Sequence, residues 1–186
     1  MTSEKRGRPR RSSTRALEEA AAELFLEQGF SHTTVDDIAS RAGVSRATFF
    51  NYFHNKSDVL WVDVDRALAY LSQSVMEASH LGRALELLAH DVAPHPVPLI
   101  ASQFEAMEAD LDLRGDGGQR VIQLAAIVAQ AGVSPRDVWM VTGALVSAAL
   151  EWSGAGVSRA ALGNYLGEHL ERIRSVVDAG SAASLF

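Results

Sequence analysis

The sequence predicts an all-α protein: an N-terminal three-helix unit containing a helix-turn-helix, followed by a larger helical body. Three observations carry this. Apolar residues recur at spacings of three and four along most of the chain, as on one face of a helix. The helices are punctuated by glycine stops and by Ser or Thr at capping positions. The chain has 186 residues, 47% hydrophobic and 22% charged, which suits a folded protein with a sizeable core.

Residues 1–12, MTSEKRGRPRRS, have nothing apolar to bury and are expected to form a flexible basic arm. Within it Arg6, Arg8 and Arg10 flank Gly7 and Pro9, as in the core of a minor-groove-binding hook, with Arg11 beside them. The other reading is a solubilising tail that meets phosphates without preference. Residues 13–56 form the next unit. Its first helix runs from Thr14 to Gln28, with Leu17, Ala21, Leu24 and Phe25 on one face and Glu18, Glu19, Glu23 and Glu27 on the solvated side. Gly29 closes it. In the second helix Thr34 is an N-cap with Asp37 three positions on, the spacing of a capping box. Gly43 stops that helix, Val44 plugs the corner, and Ser45 caps a third. There Phe49 and Phe53 lie one turn apart on the inner side, whereas Ala47 and Asn51 lie opposite with Phe50 on the flank. Helix, tight turn and capped second helix make a helix-turn-helix, whose second helix enters the DNA major groove.

The stretch G-F-x-x-T-T-V-x-x-I-A-x-x-A-G-V-S-x-x-x-F-F-x-Y-F-x-x-K-x-x-x-L, from Gly29 to Leu60, resembles the DNA-binding signature of the TetR (tetracycline-repressor-like) family. The resemblance covers about the first third of the chain and implies a dimeric repressor that binds an operator and is released by a small molecule. It implies that Thr33, Thr34, Tyr52 and Lys56 grip phosphates. Phe50 stands where the family usually has tyrosine, so one hydroxyl contact is lost. From the residues themselves, Ser45 and Arg46 open the recognition helix. Arg46 can bridge guanine O6 and N7, or contact phosphate only; Ala47 can touch a thymine methyl and Asn51 can read adenine. The stretch from Thr48 to Trp61, T-F-F-x-Y-F-x-x-K-x-D-V-x-W, is also similar to mycofactocin-associated regulators, which implies an acyl-type effector.

Residues 57–186 read as a ligand-binding and dimerisation body. A long helix from Ser57 to about Ser79 carries Leu60, Val64, Leu68, Leu71 and Val75 as one stripe and is the natural lever between the two units. A helix from Leu81 to Val92 ends at three prolines in residues 94–98. Helices from about Leu99 to Leu111 and from Gln119 to Gln130 follow, with Arg114–Gly118 (RGDGG) as a loop. Ile127–Ser134 repeats the glycine-turn punctuation of Ile38–Ser45, but the helix after it is apolar on nearly all sides and cannot lie among phosphates. That helix and the last one, from Ser158 to Asp178, have apolar surface to spare, and Val141, Leu145, Leu162, Leu166, Leu170 and Ile173 are the expected homodimer contacts. Candidate effector-pocket residues are Trp61, His90, Phe104, Met107, Trp139, Met140 and Trp152, each also suited to the core, or for His90 to the surface.

Charge is unevenly spread. Residues 1–56 hold nine Lys/Arg and seven Asp/Glu, and residues 57–186 hold eight and sixteen, so the net charge of -6 divides into +2 and -8. One positive end suits double-stranded DNA, and the acidic body favours an apolar or cationic effector over a strongly anionic one. With no cysteine, disulfides and thiolate metal sites are excluded. His90 and His95 lack a third ligand at metal-binding spacing, and no phosphate-loop, dinucleotide, nucleophile-elbow or zinc-protease motif is present, so neither metal, cofactor nor enzymatic activity is expected. The Arg-rich start lacks the apolar segment of a secretory signal, and no stretch is long enough to span a bilayer, so a cytoplasmic location with no membrane partner is expected. The competing function is an architectural or activating DNA binder without an effector.

Overall fold

The computed structural model describes residues 10–78, 80–92, 98–102, 111–156 and 159–183, and among these the regular structure is entirely helical. Helix α1 (Arg10–Gln28), α2 (Val35–Arg41) and α3 (Arg46–Phe50) form the head. Helix α4 (Lys56–Ala78) leads to a body of α5 (Leu81–Val92), the short α6 (Leu99–Ser102), α7 (Leu111–Gln130), α8 (Val138–Gly154) and α9 (Leu162–Ala183). Helix α1 begins four residues before Thr14, so Arg10 and Arg11 belong to its first turn rather than to an extended arm.

The head core is built from Leu17, Leu24 and Phe25 of α1, Ile38 of α2, Phe49 of α3, and Phe30 and Phe53 from the connections. It does not stop where the head ends in sequence. Val59, Leu60 and Trp61 of α4 and Ile100 of α6 belong to the same cluster. Further along α4, Leu68, Leu71 and Val75 enter a second core with Leu85 and Leu88 of α5, Val128 of α7, Leu145 and Trp152 of α8, and Leu162 and Leu166 of α9. A single stripe on α4, the one legible in the sequence, therefore serves two cores. Helices α8 and α9 pack along each other, and α9 also lies against α5.

The RGDGG segment is helical and opens α7, contrary to the loop expected from its glycines. The reason is tertiary. Gly117 lies against the ring of Trp61, where an added Cβ would sit 3.3 Å from its Cη2. Arg120, one turn on, lays its guanidinium over the same indole, 4.6 Å from the ring centroid, and forks onto both carboxylate oxygens of Asp65 at 2.7 Å. Ser57 donates to Asp116 at 2.9 Å. These contacts with α4 offset the helix propensity lost at each glycine, about 1 kcal/mol. Trp61 is 6% exposed and its Nε1–H has no acceptor, so the indole is gripped by shape and charge rather than by hydrogen bonding.

Two substitutions in this turn should differ in sign. Gly118→Ala meets nothing within 4 Å and should raise stability by about 0.5–1 kcal/mol in a thermal or urea melt. Gly117→Val presses on a trapped indole and should lower it by about 1–3 kcal/mol.

Candidate nucleic-acid interface

The head's exposed surface is set by local capping. Thr34 and Asp37 form a complete capping box. The Asp37 amide donates to Thr34 Oγ1 at 3.2 Å, and Asp37 Oδ2 accepts from the Thr34 amide at 2.9 Å and its hydroxyl at 2.7 Å. Those bonds, the hydroxyl's first, hold the Asp37 carboxyl below its ordinary titration range. Gly43 takes φ +67°, the left-handed turn expected from its position, and the Val44 amide returns to Ala39 O at 2.9 Å. Ser45 caps α3 by accepting from the Thr48 amide at 3.1 Å. Helix α3 thus leaves the turn with Phe49 buried and Arg46, Ala47, Phe50 and, at its C-cap, Asn51 exposed. Tyr52 is half-buried against the head core.

Two residues that the family resemblance assigned to phosphates are occupied elsewhere. Thr33 is 1% exposed. Its hydroxyl donates to Gly29 O at 2.9 Å and accepts from Gln28 Nε2 at 3.2 Å, sealing the C-terminus of α1. Lys56 donates to Phe30 O at 2.7 Å and Thr33 O at 3.0 Å, with its ammonium 4.2 Å from the centroid of the Phe30 ring. Both close the α1–α2 connection. Thr34 is exposed, but its hydroxyl is spent in the capping box.

The acidic face of α1 is not simply solvated. Glu23 and Glu27 hold Arg41 of α2 at 3.1 and 2.8 Å, and this pairing keeps the Glu27 carboxyl below its usual range. Glu18 is half-buried beside Arg66 of α4 at 3.6 Å. Its desolvation outweighs that attraction, and its carboxyl is pushed up. Arg46 donates to Asp36 Oδ2 at 2.7 Å and lies over the Phe50 ring, 5.3 Å from the centroid. The partners of Arg41 and Arg46 were not legible in the sequence, because they lie ten to eighteen residues away.

In the body the expected sites are rearranged. Leu145 (4% exposed), Leu162 and Leu166 are core residues of the single chain, and the half-buried Val141 and Leu170 pack against that core. Ile173 is half-buried. What α8 does display is Trp139, 61% exposed, and Leu150, 51% exposed, on one side with Gly143 and the half-buried Val146 between them. Trp139 therefore faces outward and does not line an interior pocket. Trp61 and Trp152 lie in different cores, Met140 is half-buried and His90 is exposed, so these residues do not converge on one cavity. Arg6, Arg8, His95, Phe104 and Met107 lie outside the described residues. Among the described residues no group of three or more His, Asp or Glu side chains could hold a metal ion, and no helix is long and apolar enough to cross a membrane.

A capped helix-turn-helix with an exposed second helix is the form of a DNA-binding head. Residues 17–60 match the family described as bacterial regulatory proteins, tetR family, and the N-terminal domain is of that family. A mycofactocin biosynthesis transcriptional regulator of Mycobacterium tuberculosis is 40% identical over 65 residues, 35% of this chain and 33% of that protein. The HTH-type regulator YdeS of Bacillus subtilis is 51% identical over 57 residues, 30% of this chain and 29% of that protein. The chain thus spans about a third of the length of these curated relatives. Among solved structures, the TetR-family repressor FadR of Thermus thermophilus in complex with lauroyl-CoA is similar, with a TM-score of 0.57 and 26% identity, covering 85% of this chain and 91% of that one. These relatives are transcriptional regulators, not enzymes.

Lys56→Met should lower the stability of the head by about 1–3 kcal/mol, through two lost hydrogen bonds and a lost ring contact. The slope of log affinity against log salt for duplex DNA should stay unchanged; a shallower slope would show that the ammonium reaches phosphate after all.

Proposed function

We propose that the protein is a dimeric, effector-responsive regulator, most simply a repressor, that binds a two-fold symmetric operator and leaves it when a small molecule occupies the body. The observation that carries this reading is the sharing of α4 between the head core and the body core. Any rearrangement of the body that tilts α4 must move the head, and a shift in register of two recognition helices spaced roughly 34–36 Å apart weakens operator binding. An effector acts only through its differential affinity for the two arrangements; coupling of about 1–3 kcal/mol changes operator affinity about 5- to 150-fold.

Charge division supports separate roles for arm and head. Residues 1–11 carry five of the nine basic groups of residues 1–56 and one of the seven acids, so residues 12–56 are left with four and six, a net -2. Counterion release would then come chiefly from residues 1–11, and sequence reading from Arg46 and Ala47 of α3 and Asn51 at its C-cap. The exposed stripe of Trp139, Gly143, Val146 and Leu150 on α8 is the surface we assign to the second copy. The acyl-CoA bound to the related repressor makes an acyl thioester the first effector class to try.

The test is selection of genomic fragments by the purified protein, followed by titration of the bound duplex with acyl-CoA thioesters of graded chain length. A symmetric site released by one chain length is the expected result. A site that no acyl thioester or other small molecule releases would leave a DNA binder without an effector. Trp139→Asp or Leu150→Asp should give a folded single copy by sedimentation and lose operator affinity by about tenfold or more, whereas Leu145→Asp should not fold, since it buries an unpaired charge.

A further inference from the structure

The contact between α2 and α3 points to a device for sequence discrimination, and its interpretation rests on the reading of α3 as the recognition helix. Phe49 is fully buried in the head core. Phe50 is exposed but meets the Phe49 ring edge-on, with centroids 5.5 Å apart and planes at 84°. The guanidinium of Arg46 lies over Phe50, and one of its Nη atoms donates to Asp36 Oδ2 at 2.7 Å. Asp36 stands in the first turn of α2, next to the capping box that holds that turn rigid. A long exposed side chain that would otherwise sample many rotamers is thus held from two sides, by a ring anchored to the core and by a carboxylate anchored to a capped helix.

The loss of tyrosine at position 50 reads differently in this light. A phenol would add a hydroxyl for phosphate, but it is the ring face, which phenylalanine keeps, that serves as a platform for a planar cation. The bond to Asp36 uses only part of the guanidinium, which has five N–H donors. An edge remains for the paired acceptors O6 and N7 of guanine. The carboxylate has a second effect. It places a negative charge on the surface that approaches DNA, so it repels backbone phosphates wherever Arg46 is not satisfied by a base.

We propose that Asp36 is a positioning residue for base recognition. With Phe50 it orients Arg46 for a guanine in the major groove, and it penalises binding to other sequences. A carboxylate that merely favoured the start of α2 would affect stability but not sequence preference.

The experiment measures affinity for the selected operator, for its single-base-pair variants and for a scrambled duplex, at one salt concentration. Asp36→Ala should lower discrimination at one base pair about tenfold and tighten binding to the scrambled duplex several-fold. Arg46→Ala should lose discrimination at the same pair, and the double variant should lose no more than Arg46→Ala alone. Phe50→Ala should behave like Asp36→Ala at that pair, and Phe50→Tyr should restore it. Asp36→Asn, which keeps the shape of the side chain, guards against a folding defect and should still weaken discrimination. Full discrimination in both Asp36 variants, or a loss at a pair that Arg46→Ala leaves alone, overturns the proposal while leaving the regulator reading intact. A wild-type protein that prefers no duplex over the scrambled one overturns both.

Discussion

The molecule depends on one helix being buried at both ends in different cores. Leu60 and Trp61 complete the head core, and Leu68, Leu71 and Val75 complete that of the body. A fully buried side chain of this size contributes about 1.5–3 kcal/mol, so neither end can detach without a cost comparable to much of a domain's stability. The head is consequently not a bead on a string. Its orientation is that of α4, whose Trp61 is held in turn by the stacked Arg120.

The head shows how little of its positive charge is available to DNA once folded. Arg41 is paired with two glutamates, Lys56 with two backbone carbonyls and a ring, and Arg46 spends one of its donors on Asp36. This pairing ties α1, α2 and α3 to one another across the surface of the small domain.

The body resolves an ambiguity in α8. A helix that is apolar all round can only be buried all round or displayed to a partner. Here Thr142 makes burial tolerable by turning its hydroxyl back onto Val138 O at 2.7 Å, while Leu145, Ala148 and Trp152 enter the core. The opposite side, with Trp139 and Leu150, is left exposed.

What the sequence determined by itself was local. The capping box of Thr34 and Asp37, the left-handed Gly43, the cap at Ser45 and the stripe of α4 were all legible, because each depends on residues three or four positions apart and on elementary backbone sterics. The tertiary structure decided the rest. RGDGG became helix because Trp61 and Asp65, more than fifty residues away, supply contacts that outweigh glycine's preference for turns. Thr33 and Lys56 gain intramolecular partners because the carbonyls they satisfy converge only when α1, α2 and α4 meet. And which side of an all-apolar helix faces solvent is set by the packing of its neighbours, which no periodicity within that helix encodes.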